Sequence, residues 1–200
     1  MASPIRFYMD FASPYAYFAS RAIEAIGAEF GRPVEWRPIL MWAVLKAHGI
    51  APPMEVPVKR RYLLADMERS AAFHGLDYRH PVKLPMSAHL AARLHHAVAQ
   101  EDPSTALGLA HALLAAFFRD RRDIADMETL VAIGASVGLA RETVVEGATG
   151  AAGRALLEAA VAEAIGAGVV GSPYFIVDGE GFFGADRLPQ VRWVLSGGRT

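Results

Sequence analysis

The chain has 200 residues, 20 Lys plus Arg against 21 Asp plus Glu, a formal net charge of −1 and 53% hydrophobic residues. That balance excludes intrinsic disorder, which goes with low hydrophobicity and high charge. It also argues against nucleic acid as a main partner, because phosphate binding needs a basic excess. There is no cysteine, which excludes disulfide scaffolds, thiolate metal sites and thiol–disulfide exchange by the protein's own sulfur.

Met1-Ala2-Ser3-Pro4-Ile5-Arg6 lacks a basic segment followed by an apolar one, so no secretory leader is expected. No stretch approaches the roughly 20 apolar residues of a membrane-spanning helix. The expectation is a soluble, cytoplasmic protein with no membrane association. Ile5 to Met9 reads as a buried strand. Ser13-Pro14 then signals a helix start, Ser as cap and Pro at the first helical position. Apolar residues at helical spacing carry that helix to about Phe30, and Gly31-Arg32-Pro33 closes it. Val34 to Arg37 alternates and predicts a second strand. Strand, helix and strand at this spacing form a βαβ unit with parallel strands.

From about Leu40 to Ile165 the pattern is mostly helical. Ala51 to Pro57 is a Pro-rich loop, and Val58 to His74 an amphipathic helix. After an irregular stretch from Asp77 to Pro85, helices are predicted over Ser87–Gln100, Ser104–Arg119, Asp126–Val137, Arg141–Gly147 and Ala151–Gly166. Strand character returns at Tyr174–Val177. A turn at Asp178-Gly179-Glu180-Gly181 leads into a returning strand at Phe182-Phe183, and a last helix spans Asp186–Leu195. The two ends of the chain thus build one α/β domain, and an all-helical domain is inserted between them.

Three segments point to chemistry. Asp10-Phe11-Ala12-Ser13-Pro14-Tyr15 puts a hydroxyl at a strand-to-helix junction, where backbone N–H groups favour an anion or thiolate; a plain helix cap is the alternative. Gly171-Ser172-Pro173-Tyr174 precedes a strand. Only about 5–6% of X-Pro bonds are cis, so frequency alone favours trans for Ser172-Pro173. A cis bond would present the Ser172 backbone to an extended ligand. Gly184-Ala185-Asp186-Arg187-Leu188 sets Asp186 at a helix start, as a cap or as an acceptor for an ammonium group. His95 and His96 are adjacent and face different sides of a helix. With His89 poorly spaced to join them, no metal site is expected. His111, in an apolar helix, reads as a core residue.

Taken together, these segments resemble the family of kappa-class glutathione transferases and 2-hydroxychromene-2-carboxylate isomerases, within the DsbA-like branch of thioredoxin folds. The matching text is Asp10 to Tyr17, Arg37-Pro38-Ile39-Leu40, Lys46-Ala47-His48-Gly49, Pro52-Pro53, Val56 to Tyr62, Gly171 to Gly179 and Phe183 to Leu188. The resemblance spans essentially the whole chain. It implies an α/β fold, with a thioredoxin-like domain of residues 1–39 and 167–200 and a helical insertion of residues 40–166. It also implies glutathione as cofactor and a homodimer. Ser13 matches the catalytic serine beside the glutathione sulfur. Pro14 and Tyr15 follow it on the helix edge. Ser172 and Pro173 match the cis-proline segment that pairs with the cysteinyl unit, and Asp186 matches the acid that holds the γ-glutamyl end. Lys46 resembles the lysine facing an acidic substrate; Trp42 reads either as a packing residue or as a substrate-binding residue at the border of the pocket. The chain departs from the family at Ile50, where relatives carry Asn, at Ala185, where they carry Ser or Asn, and at Trp42, where they carry a small residue. Pro81 to Pro85 gives no match to the substrate-side aromatic residue.

The function implied is a glutathione-dependent isomerase acting on a small aromatic carboxylate by thiolate addition, rotation about the former double bond and elimination. A kappa-like transferase or peroxidase is the second expectation. A non-catalytic protein binding peptides in a DsbA-like groove is the third.

Overall fold

Side-chain alternation along the first strand sorts the molecule into layers. The computed structural model describes residues 3–198; residues 1–2, which open the segment read for a leader, and 199–200 lie outside it. The strands are β1 (Ile5–Met9), β2 (Val34–Pro38), β3 (Tyr174–Val177) and β4 (Glu180–Phe183). They form a 4-stranded sheet of order β2-β1-β3-β4. β1 and β2 are parallel, as the βαβ spacing predicts, while β3 pairs antiparallel with both β1 and β4. Asp178 (φ 50°) and Gly179 (φ 92°) make the β3–β4 turn, and both have the left-handed backbone that tight hairpins need.

α1 (Pro14–Glu29) joins β1 to β2. Between β2 and β3 come α2 (Met41–Ala47), α3 (Pro57–Phe73), α4 (His89–Glu101), α5 (Pro103–Phe118), α6 (Met127–Ser136), α7 (Arg141–Thr149) and α8 (Ala151–Gly166). α9 (Leu188–Leu195) follows β4. Most bounds lie within a few residues of the sequence expectation. The terminal helix is later than expected: Ala185–Arg187 is a 3-10 turn, and the α-helix starts at Leu188, where Pro189 fits its first turn. Among the described residues no helix is long and apolar enough to cross a membrane.

Successive strand residues point to opposite faces. Ile5, Phe7 and Met9 enter the main core with Ile23 and Ile26 of α1, Leu94 of α4 and Leu109 and Leu113 of α5. Phe7 stacks on Phe175 at 5.2 Å and meets Trp36 edge-on at 5.0 Å. Tyr8 faces the other way, into a smaller cluster with Ile39, Val44, Ala164 and Ile176. Its hydroxyl donates to Glu163 of α8 at 2.7 Å, and Arg37 donates to the other Glu163 oxygen at 2.7 Å. Burial, with the Glu163 carboxylate beside it, pushes the Tyr8 hydroxyl up to about 12.

α4 packs behind the loop that follows β1. His96 donates from Nε2 to the Pro38 carbonyl at 2.7 Å. His95 is buried, its ring 5.9 Å from that of Phe11, and its Nδ1 has no partner among the described residues. Burial, and secondarily His96, pulls its pKa down to about 3. His111 is partly buried and bonded to Glu24 at 2.9 Å.

His95 makes the fold acid-sensitive. Its folded pKa lies below the unfolded value of about 6.5, so its contribution is present above pH 6.5 and is lost as pH falls toward 3. Below 6.5 the loss is about 1.4 kcal/mol per pH unit. His95→Leu should remove roughly 2 kcal/mol of the stability difference between pH 7 and pH 5, measured by urea unfolding at both. An unchanged difference would mean that His95 is not the acid-labile group.

Candidate active site

The site forms where the end of β1 meets the turn before β3. Asp10 follows β1 and is 5% exposed. Its N–H donates to Ser172 Oγ at 2.9 Å, and its carbonyl accepts from the Ser13 N–H at 2.9 Å. One carboxylate oxygen accepts from the Ala12 N–H at 2.9 Å, the other from the Met41 N–H at 2.8 Å. Burial pushes the Asp10 carboxyl up to about 6, and the two N–H bonds hold it back.

Ser13 caps α1, accepting from the Ala16 N–H at 3.3 Å, and Pro14 is buried beside it in the first turn. The Ser13 hydroxyl donates to the Ser172 carbonyl at 2.9 Å. Its proton is therefore committed to the main chain of the segment the sequence paired with it. Among the described residues the Tyr15 and Ser172 N–H groups have no acceptor.

The Ser172–Pro173 peptide is cis, against the frequency-based expectation of trans and in line with the family resemblance. Leu84–Pro85 is also cis, which the sequence did not single out. At Gly171 a Cβ would run into the Phe183 ring, so the ring of β4 closes over the start of the segment. The Pro173 carbonyl accepts from the Gly184 N–H at 3.0 Å, which brings Ala185 and Asp186 to the same edge. Gly184 sits at φ 109°, a backbone suited to glycine, and a Cβ there would strike the Asp186 carboxylate. Ala185 is buried in the core; the Asp186 side chain is 73% exposed and lies 3.6 Å from Arg187.

Tyr15 turns away from Ser13. Its hydroxyl donates to Asp66 of α3 at 2.6 Å, and Arg69 donates to Asp66 at 2.7 Å. Burial opposes ionisation of Asp66, but the bonds from Tyr15 and Arg69 outweigh it and hold the carboxyl below its usual range. Burial and the Asp66 bond raise the Tyr15 hydroxyl. Trp42 (53% exposed) and Lys46 lie on α2. Among the described residues neither side chain hydrogen-bonds to Ser13; the bond from the Met41 N–H to Asp10 joins their helix to the Ser13 loop. Asp10 is the residue that sequence reasoning left without a role, although it stands in the quoted motif. Its one sequence signal is an acid at the end of a buried strand. Among the described residues no group of three or more His, Cys, Asp or Glu side chains is placed to hold a metal ion.

A family model described as a DSBA-like thioredoxin domain matches residues 4–196. The chain belongs to this family. This DSBA-like protein is 30% identical over 190 residues to a 2-hydroxychromene-2-carboxylate isomerase of Sphingobium xenophagum, covering 94% of this chain and 95% of the relative. It is 28% identical over 218 residues to glutathione S-transferase kappa 2 of Caenorhabditis elegans, covering 94% and 89%. A solved structure of a 2-hydroxychromene-2-carboxylate isomerase matches with a TM-score of 0.86 at 19% identity, over 96% of this chain and 94% of that one. At that identity the structural match speaks for the shared fold.

The Tyr15–Asp66 bond ties α1 to α3. Tyr15→Phe should cost about 1.5–3 kcal/mol, the usual loss of a hydrogen bond to a charged group. Urea unfolding and faster amide exchange within α3 would read it. Unchanged stability and exchange would mean that α3 is held by other contacts.

Proposed function

We propose that this DSBA-like protein is a glutathione-dependent cis–trans isomerase of the 2-hydroxychromene-2-carboxylate isomerase type, acting in the cytoplasm on a conjugated aromatic carboxylate. The observation that carries this reading is Ser13. Its hydroxyl stands at the N-terminus of α1 against the Ser172 carbonyl, where thioredoxin-type proteins carry a reactive thiol, in a chain without cysteine. The thiol must then arrive with a ligand.

The residues present fit glutathione. Ser172 offers a free N–H and a carbonyl held by one neutral hydroxyl bond, the donor and acceptor that an extended cysteinyl unit needs. The α1 N-terminus, with the Tyr15 N–H unpartnered among the described residues, favours a negative sulfur. Asp186 is exposed, and its solvent-screened pairing with Arg187 at 3.6 Å leaves carboxylate oxygen for an ammonium group. Ala185 is buried and adds no side-chain hydrogen bond.

When bound, glutathione would supply a thiolate that adds to the conjugated double bond, permits rotation and leaves again. The chain's own part is to hold and redirect one proton. The Ser13 hydroxyl donates that proton in a hydrogen bond to the Ser172 carbonyl. Were that carbonyl to accept instead from a ligand N–H, the Ser13 hydroxyl would be free to donate to a ligand thiolate. The new bond is charge-assisted and about twice as strong as a neutral one. Recognition of the ligand backbone and stabilisation of the thiolate are then one exchange of hydrogen bonds. Lys46 offers a cation to the substrate carboxylate and to the negative charge that develops beyond the double bond, and Trp42 offers an aromatic wall. The same reading carries the expectation of a homodimer.

The kinship to the nematode kappa transferase favours a second reading, in which the same site consumes glutathione on an electrophile. Mass balance separates the two: an isomerase leaves the glutathione concentration unchanged through many turnovers. A peptide-binding protein would bind extended peptides and no glutathione.

Calorimetric titration of reduced glutathione should give saturable binding to the wild type, weakened roughly ten- to a hundredfold in Ser13→Ala. Absence of saturable binding at millimolar concentrations would overturn the reading. A thiol without an amide N–H, 3-mercaptopropionate, leaves the Ser13–Ser172 bond in place and should bind both proteins alike. A large Ser13→Ala effect on that thiol would refute the exchange.

A further inference from the structure

One buried carboxylate reaches both halves of the proposed pocket. The main chain of Asp10 holds the thiol side, through the Ser172 Oγ and the Ser13 N–H. Its side chain holds Ala12 on that side and Met41 on the other. Met41 is the first residue of α2, whose own N-cap, Leu40, makes no side-chain bond. Asp10 is therefore the cap of α2, supplied from 31 residues upstream.

α2 needs such an anchor. It is 7 residues long, with only Val44 and Leu45 buried, far below the ~12–15 residues at which an isolated helix becomes even marginally stable. Lys46 lies about 7.5 Å along the axis from Met41 at the usual rise of ~1.5 Å per residue. A tilt at Met41 is thus carried to Trp42 and Lys46. An amide in place of the carboxylate has one acceptor, so one of the two N–H groups would face an NH2.

We propose that Asp10 is a positioning residue that couples the Ser13 loop to α2, so that the placement of the helix bearing Trp42 and Lys46 depends on the Asp10 carboxylate. What the two halves bind rests on the glutathione reading; the coupling itself belongs to the chain. Because burial pushes this carboxyl up to about 6, its charge changes in a range open to measurement. Among the described residues no cation pairs with Asp10. The side chains bonded to or packed on this segment are the Ser13 and Ser172 hydroxyls and, against Phe11, His95, which burial keeps neutral down to about pH 3. Lys46 and His48 are exposed at the far end of α2.

The test is amide exchange across residues 39–47, corrected for intrinsic rates, from pH 7.5 to pH 5, with glutathione titration alongside. In the wild type, protection of the Met41 amide, taken relative to that of α5, which follows the stability of the whole fold, should fall about tenfold as Asp10 takes up its proton. In Asp10→Asn that protection should be about tenfold lower at pH 7.5 and independent of pH. Equal α2 protection in the two proteins, or a wild-type profile with no step anywhere between pH 7.5 and pH 5, would overturn the coupling. Should Asp10→Asn fail to fold, the wild-type profile decides alone. If the wild type binds no glutathione, the proposed function falls while the exchange result still decides the role of Asp10.

Discussion

Two hydrogen bonds hold the site together, from the Asp10 N–H to Ser172 Oγ and from the Ser13 hydroxyl to the Ser172 carbonyl. They join segments 162 and 159 residues apart in sequence. The chain between them, from α1 through α8, is the loop that these two bonds close. The sheet order β2-β1-β3-β4 makes the closure possible, because it sets β3, from the C-terminal end, directly beside β1. The Ser13 environment is thus a product of the completed fold. Neither the helix cap nor the proline turn creates it alone.

Chemistry and stability pull against each other at Asp10. Raising its pKa from 3.8 to about 6 means that ionisation at neutral pH costs the folded state about 3 kcal/mol, recovered as pH falls from 6 through 3.8. The acceptor capacity of the carboxylate offsets this by satisfying two N–H groups at once. The absence of cysteine has a related logic. A serine at the start of α1 keeps the anion-favouring field of the helix end in a chain with no thiol of its own, and on the proposed reading the thiol comes with the ligand.

Much of this was legible in the sequence, for identifiable reasons. β1, α1 and β2 each carry local signals: an apolar run, a helix opened by Ser13-Pro14 and closed at Gly31, and an alternating pattern. The grouping of Ser13, Ser172 and Pro173 was readable from motif order, because the resemblance preserves that order across the chain. α2 was not resolved as a separate helix, because its cap lies in a different segment and no window around Met41 contains it. The role of Asp10 escaped for the same reason. Tyr15 was expected at the cofactor, yet its hydroxyl lies on Asp66, a pairing across 51 residues that no local pattern announces.

The central claim is that the Ser13 position lowers the energy of a ligand thiolate, and the pKa of the glutathione thiol in the complex tests it most directly. Ultraviolet thiolate absorbance, followed against pH at saturating protein, would read it. The account predicts a pKa well below the ~8.5 of an ordinary cysteine thiol, moving back toward that value in Ser13→Ala. A bound thiol that titrates like free glutathione in the wild type would contradict it.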